Sequence, residues 1–517
     1  MKRRQFILSS SVAAFVGCDR PSAMSDLHKF SMSEALNELH SGKLSSVQLM
    51  QHYLQRLEAL DRAGPELRSV IELHPEALQM AARSDVKKTN GSLHGLPILI
   101  KDNIETAEGL LTTAGSLALV EAPRPQQDAE IIRRLRAAGA LIFGKTNLSE
   151  WANIRSRDSS SGWSARGGLT RNPHHLSHSA SGSSSGSAVA VAAGFCAAAI
   201  GTETNGSIIS PASACGIVGL KPTLGKVSRS GIIPISLWQD TAGPMTRTVK
   251  DAALLMNVLS GHDSRDPQSV EVPISEQVSH MAFMGEEALR GVRLGVVRDL
   301  CGEHSAVQAL FDQALDLLRK AGAVIVDSVT LPNHRKASGL AWECLLTEFR
   351  SDINAYLSKR GGALHSLAEV IAFNEESREI EMPFFGQDLF EEAESRCTAE
   401  ALAEAVELRA LARRFAGPEG IDQTLREHRL DGLICPTNDP IQRITLDRGD
   451  DHVRVASSPA AVAGYPHLTV PMGQVEGLPI GLSFFGAAWS EPQILAYGDA
   501  FERTMPFWKT QLPLMRP

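Results

Sequence analysis

The stretch Ser181–Ser207, reading SGSSSGSAVAVAAGFCAAAIGTETNGS, constrains this chain more than any other. It opens as a Gly/Ser loop, runs into the small apolar segment Ala188–Ala193, and closes on a second polar turn, Thr202–Ser207. Glycines let the backbone bend sharply and come close to a neighbour. A flexible Gly/Ser linker would not lead straight into Ala-Val-Ala-Val-Ala-Ala. No lysine follows the glycines where a phosphate-cradling loop requires one. Two hydroxyl clusters at the ends of a compact apolar element suit a serine nucleophile and its helper, because a free serine hydroxyl is a weak nucleophile that needs an adjacent base.

A candidate base precedes this stretch. Ile98–Ile100 reads as a short apolar strand with Lys101 at its end. Such a lysine is either a surface charge or an amine drawn into a cleft, where burial lowers its pKa and lets the neutral form act as a base. Lys145, in Gly144-Lys145-Thr146-Asn147, is read as structural. His174, His175 and His178 lie in a turn-rich loop with no metal-ligand spacing and no acidic partner, so they read as loop-packing residues.

The flanking elements alternate. Ser45 and Gln48 make a capping box for a helix to about Leu60, with Val47, Met50, Leu54 and Leu57 on one face. Residues 128–138 form a helix stopped by Gly139, with arginines outward, and Ala140–Phe143 a strand. Val292–Val297, Ser305–Lys320 and Ala323–Val326 repeat the strand–helix–strand rhythm. Leu433–Cys435, Leu468–Pro471 and Leu482–Phe485 return to strands before a late helix, Glu491–Phe501. The alternation predicts a layered α/β architecture. With 43% hydrophobic but only 5% aromatic residues, close-packed α/β layers fit better than an aromatic binding module. Residues 331–425 are richer in charge and helix formers; Trp342, Phe349, Phe384, Phe385 and Phe390 there belong either to a helical core or to a substrate cleft. No clean linker appears, so residues 27–517 are read as one catalytic domain.

Several ordered motifs together resemble the amidase signature family of serine hydrolases. They are SGSSSGS at 181–187, GTETNGS at 201–207, GLPILIKDN at 95–103, GIVGLKPT at 216–223 and DTAGPM at 240–245, and the resemblance covers about residues 30–510. It implies an α/β/α fold around a central mixed, twisted sheet, and a triad of Ser207 as nucleophile, Ser183 as bridging serine and Lys101 as terminal base. Ser183 and Ser207 reproduce the family's offset of 24 residues. It further implies a cis peptide at Gly182–Ser183 and an oxyanion hole made by the backbone N–H groups of Thr204, Asn205, Gly206 and Ser207. No cofactor and no metal is called for. No G-x-S-x-G elbow surrounds Ser207, which argues against a Ser-His-Asp triad. Asn205 stands where the family commonly has Gly, and Ile209 where it commonly has Arg.

The run Ser161–Gly168, SGWSARGG, with Thr202-Glu203-Thr204, is similar to bacterial peptide amidases, which release ammonia from the carboxy-terminal amide of peptides. The expected partner is therefore a small-molecule or short peptide amide. The alternatives are a broad aliphatic or aryl acylamidase, the glutaminase component of a tRNA-dependent amidotransferase, and an inactive periplasmic binding protein. A formal charge of −8 offers no general attraction to nucleic acid.

Residues 1–26 read as an export segment. Lys2-Arg3-Arg4-Gln5-Phe6 is a basic start, resembling a twin-arginine signal, ahead of an apolar run too short to span a membrane. Phe15-Val16-Gly17-Cys18 loosely resembles a lipoprotein cleavage site, which would anchor the exported, periplasmic protein through a lipid on Cys18. The seven cysteines are scattered without C-x-x-C spacing, so no zinc site or disulfide scaffold is expected.

Overall fold

Every position of the strand Pro97–Lys101 is buried, as is every position of Ala198–Glu203. Successive side chains of a strand point to opposite faces, so both faces of the sheet are covered here, as parallel strands require. The computed structural model describes residues 26–87, 89–269, 278–451, 453–505, 507, 513, 515 and 516. The predicted export segment, including Cys18, falls almost wholly outside the described residues.

The main sheet has eleven strands in the spatial order Val70–Leu73, Leu141–Thr146, Pro97–Lys101, Ala198–Glu203, Thr241–Thr246, Val218–Lys221, His467–Val475, Leu478–Phe485, Gly432–Pro436, Arg293–Val297 and Val324–Val329. It is mixed. Leu141–Thr146, Pro97–Lys101 and Ala198–Glu203 run parallel at one end, and Gly432–Pro436, Arg293–Val297 and Val324–Val329 run parallel at the other. Antiparallel pairings join the two blocks. The predicted layered α/β fold is what forms; most predicted strands run on past their predicted ends, while Leu141–Thr146, Arg293–Val297 and Val324–Val329 each begin one residue later than predicted.

Two helices show how sequence becomes position. In Ser46–Leu57 the capping box is present: Gln48 N–H donates to Ser45 Oγ at 3.1 Å, and Ser45 N–H donates to Gln48 Oε1 at 2.9 Å. Its buried face is rotated from the predicted one. Leu49, Met50, Tyr53 and Leu57 are buried while Val47 and Leu54 are half-buried, because the helix also packs on Ala77–Val86. Ser185–Ala192 is all small or β-branched residues, and its first seven are completely enclosed, which lets this helix lie against the strands Pro97–Lys101 and Ala198–Glu203.

The segment 331–425 is helical, with His334–Arg360 and Ala399–Ala416 packed together. Its aromatics divide. Phe349 and Phe390 stack with centroids 5.4 Å apart inside a second core that also takes in Trp151, Ile154 and Ile235. Phe384 and Phe385 meet the edge of Trp163. Trp342 stays 40% exposed and faces the cleft described below. The six described cysteines are free thiols, and no described helix is long and apolar enough to cross a membrane.

Candidate active site

Lys101 is the last residue of its strand and is fully enclosed. Its Nζ lies 2.8 Å from Ser183 Oγ, 2.8 Å from Thr202 Oγ1 and 3.2 Å from the Thr202 carbonyl oxygen. Register explains the contact: Ile100 pairs with Ile200 on the neighbouring parallel strand, so the lysine side chain ends level with Thr202. Burial pushes the Lys101 pKa down from 10.5 to about 7, against the opposing pull of the Asp240 and Glu203 carboxylates. A neutral amine has two N–H bonds and one lone pair. With both N–H bonds donated to Thr202, the lone pair faces the Ser183 hydroxyl.

Ser183 is fully buried and follows a cis peptide at Gly182–Ser183. A Cβ at Gly182 would stand 2.2 Å from Ser149 Oγ, so only glycine fits this close approach. The Ser184 N–H donates to the Ser207 carbonyl at 3.0 Å, and the Ser149 N–H donates to the Ser183 carbonyl at 3.1 Å. These bonds fix the two serine turns against each other. Ser183 and Ser207 both line a small cavity of about 10 Å³ with Asn103, Thr202 and Asp240. No direct hydrogen bond joins their hydroxyls. Lys101 and Ser183 are thus in contact, and Ser207 stands beside them at the cleft.

The turn bearing Ser207 is braced from within by Glu203. Its carboxylate accepts the N–H groups of Gly206 at 2.8 Å, Ile208 at 2.8 Å and Ile209 at 3.0 Å. The Gly206 N–H, one of the four expected oxyanion donors, thus points at Glu203 Oε1. Gly206 has φ +89°, a left-handed conformation that favours glycine. Asn205 is exposed and tied to a neighbouring helix start: Ser457 Oγ donates to its Oδ1 at 2.7 Å, and its Nδ2 donates to Ser458 Oγ at 3.0 Å.

Two cavities open from this turn, and Gly182, Asn153, Asn205 and Trp342 border both. One, of about 250 Å³, is walled by Ile154, Ile235, Ala341 and Leu345 beside Ser207. The other, of about 580 Å³, runs past Ser159, Ser161, Asp450 and Asp451 on one side and Leu389, Ile441 and Val453 on another. The wall between them is a left-handed turn, with φ of 49° at Trp151, 55° at Ala152 and 78° at Asn153. Non-glycine residues adopt this region at a cost of about 1–2 kcal/mol each, which tertiary contacts must offset. Trp151 supplies them by burying its ring edge-on to Phe390 and donating its backbone N–H to the Ala114 carbonyl at 2.9 Å.

Residues 48–495 match the amidase family. The chain belongs to that family. It is 38% identical to a probable amidase of Arabidopsis thaliana, over 96% of this chain and 94% of that protein. It is 35% identical to a glutamyl-tRNA(Gln) amidotransferase component of Chloroflexus aggregans, over 95% and 99% respectively. Among solved structures, the native peptide amidase of Stenotrophomonas maltophilia is 47% identical, covers 93% of this chain and 98% of its own, and superposes with a TM-score of 0.87. The protein is an amide-hydrolysing enzyme with the amidase signature fold.

Several further residues of this amidase carry the site. Thr202 accepts from Lys101 and from Asn103 Nδ2, the latter at 3.0 Å. Asp240 accepts Thr204 Oγ1 at 2.5 Å and the N–H groups of Ile235 and Ser236. Each lies inside a recognised motif, but one-dimensional order does not say which side chains meet. Lys145 is also fully buried; its Nζ donates to the Ile104 carbonyl at 2.5 Å and to Thr112 Oγ1 at 2.8 Å, away from both serines. His174 is hydrogen-bonded to the Cys215 carbonyl at 3.0 Å, and His175 packs edge-on to His178 with centroids 4.3 Å apart.

Proposed function

We propose that this amidase removes the carboxy-terminal amide of short peptides through an acyl-enzyme on Ser207. The observation that carries the proposal is the 2.8 Å contact between Ser183 Oγ and a buried lysine whose pKa lies at about 7. In the proposed relay, Lys101 takes the Ser183 proton while Ser183 takes the Ser207 proton, and Ser207 Oγ attacks the amide carbonyl carbon. The carbonyl oxygen becomes an oxyanion facing the N–H groups of Thr204, Asn205 and Ser207, donors of a kind whose loss costs roughly 3 kcal/mol each. The relay reversed protonates the amide nitrogen, the C–N bond breaks and ammonia leaves. Water then attacks the acyl-enzyme, giving up its proton through the same three groups, and frees the peptide acid and Ser207.

The cleft supports the choice of substrate. The cavity of about 10 Å³ beside Ser183 and Ser207 has room for a molecule the size of ammonia. The arm of about 250 Å³ beside Ser207 has room for one aliphatic or aromatic side chain, and the larger arm of about 580 Å³ has room for the rest of an acyl chain. The similarity to a peptide amidase over 93% of the chain points the same way. A second reading, hydrolysis of free glutamine, is favoured by the likeness to the glutamyl-tRNA(Gln) amidotransferase component. Incubation with a short peptide amide, its free acid, free glutamine and an aryl acylamide, followed by mass, separates them. Hydrolysis of the peptide amide alone supports the proposal; preference for glutamine or the aryl compound overturns it.

A further inference from the structure

Thr204 is gripped by two consecutive residues from a distant part of the chain. Glu203 pairs with Thr241 at the end of the antiparallel ladder between Ala198–Glu203 and Thr241–Thr246, so Thr204 and Asp240 meet just beyond it. The Thr204 hydroxyl donates to Asp240 Oδ1 at 2.5 Å, and Gln239 Nε2 donates to the Thr204 carbonyl at 3.3 Å. All three residues are buried, and Thr204 and Gln239 border the cavity of about 250 Å³ together with Asn205 and Ser207. The grip has its own support. Asp240 Oδ2 accepts the N–H groups of Ile235 at 2.8 Å and Ser236 at 3.0 Å, and the Ser236 carbonyl accepts those of Gln239 at 3.2 Å and Asp240 at 2.9 Å. The loop 235–240 is thus closed on itself, and Asp352 anchors it to the helix His334–Arg360 by accepting the Leu237 N–H at 2.9 Å.

The Thr204–Asn205 peptide is trans. In a trans peptide the C=O of one residue and the N–H of the next point in opposite directions. By holding the Thr204 carbonyl, Gln239 therefore sets the direction of the Asn205 N–H, which makes no hydrogen bond to any described residue. The following peptide plane is set by Glu203, which takes the Gly206 N–H. Asn205 lies between two fixed planes. A donor aimed in advance costs no reorganisation when charge develops on the substrate oxygen.

We infer that Gln239 and Asp240 are positioning residues for the oxyanion turn: together they clamp Thr204 so that the Asn205 N–H is aimed before the amide binds. The inference rests on the acyl-enzyme at Ser207 proposed above and is independent of which acyl group the enzyme accepts. Interactions made only in the transition state appear in kcat, whereas uniform substrate binding appears in KM. That difference separates a clamp on an oxyanion donor from a wall that merely touches substrate.

The test measures kcat and KM for Gln239→Met, which keeps the side chain's length and removes its amide, and for Thr204→Val, which keeps the shape and removes the hydroxyl. The assay uses whichever of alanyl-phenylalaninamide, free glutamine and an aryl acylamide the native enzyme hydrolyses fastest, so a different substrate overturns the peptide-amide reading without touching the clamp. In each variant kcat should fall about tenfold with KM within about twofold, and Thr204→Ser, which restores the hydroxyl to Asp240, should bring kcat back to within about threefold of native. Melting curves check that each variant is folded; should Thr204→Val unfold, Gln239→Met decides alone. A native kcat in folded Gln239→Met, a loss carried by KM alone, or a Thr204→Ser no better than Thr204→Val overturns the clamp and leaves the acyl-enzyme standing. Full activity in Ser207→Ala overturns both.

Discussion

Acidification should silence this amidase through a single proton on Lys101, and the same lysine should be a liability to the fold. With a pKa at about 7, about 1 enzyme molecule in 100 carries the neutral amine at pH 5, so kcat/KM should fall tenfold per pH unit and about 100-fold in all. Ammonia release measured from pH 5 to 9 gives the profile; a flat line over that range would refute the neutral-lysine base. Stability supplies the second half. A folded-state pKa depressed from 10.5 to about 7 means the unfolded chain binds the proton more tightly. Folding stability therefore rises with pH between about 7 and 10.5, and below pH 7 the burial of Lys101 costs about 5 kcal/mol. Lys101→Met keeps the volume and removes that cost, while losing three hydrogen bonds at about 1 kcal/mol each. The variant should be inactive, yet about 2 kcal/mol more stable than the native protein at pH 6. By pH 9 the difference should move by about 3 kcal/mol and reverse sign, since the native cost falls by about 1.4 kcal/mol per unit above pH 7. At about 1 °C per kcal/mol for a chain this long, melting curves at the two pH values suffice. A melting difference that does not move with pH would sink the argument.

Ser207→Ala should abolish acyl-enzyme formation, read by mass after mixing with substrate, while leaving the melting temperature within about 1 °C, because one hydroxyl leaves a turn held by Glu203 and the Ser184 N–H. Lys145→Met should retain activity within about tenfold of native, since its Nζ contacts only Ile104 and Thr112; a loss equal to that of Lys101→Met would leave the base unassigned. Glu203→Gln replaces a carboxylate that accepts three N–H groups with an amide whose NH₂ opposes one of them, so kcat should fall about 10- to 100-fold with KM nearly constant. Export, proposed from Arg3, Arg4 and the apolar run after them, is checked by the mass of the mature amino terminus from the native host: an intact Met1 rules it out, and a lipidated Cys18 establishes the anchor.

The parts legible in sequence are those encoded locally. The apolar run 97–100, the small-residue helix start at 185 and the two hydroxyl clusters each follow from neighbours in the chain, and the motifs' order made Lys101, Ser183 and Ser207 candidates together. What stayed hidden is encoded across the sheet. Asn103 and Lys101 meet Thr202 only because Pro97–Lys101 and Ala198–Glu203 are adjacent and in register. The left-handed turn at Trp151–Asn153 contains no glycine to announce it; the buried indole and the Ala114 carbonyl hold it there. The aromatics of 331–425 could not be divided between core and cleft, because Phe349 and Trp342 sit on one helix and differ only in what faces them. The Gly206 N–H lies in a recognised turn, yet its partner Glu203 turns it away from the cleft.

Topology then accounts for why chemistry gathers at this edge. Lys101 and Glu203 are the last residues of two adjacent parallel strands, so the proposed base and the brace of the Ser207 turn leave the sheet at the same carboxyl edge. That edge is where open α/β sheets place their ligand crevices. The strand Leu141–Thr146 lies on the outer side of Pro97–Lys101, which explains the different fates of two equally buried lysines. Lys145 is paired with Ile100, one step back from the strand end, and reaches the loop that follows Lys101. Lys101 alone reaches across to Thr202 and Ser183. Strand order, rather than lysine burial, decides which amine meets Ser183, and so which one is proposed as the base.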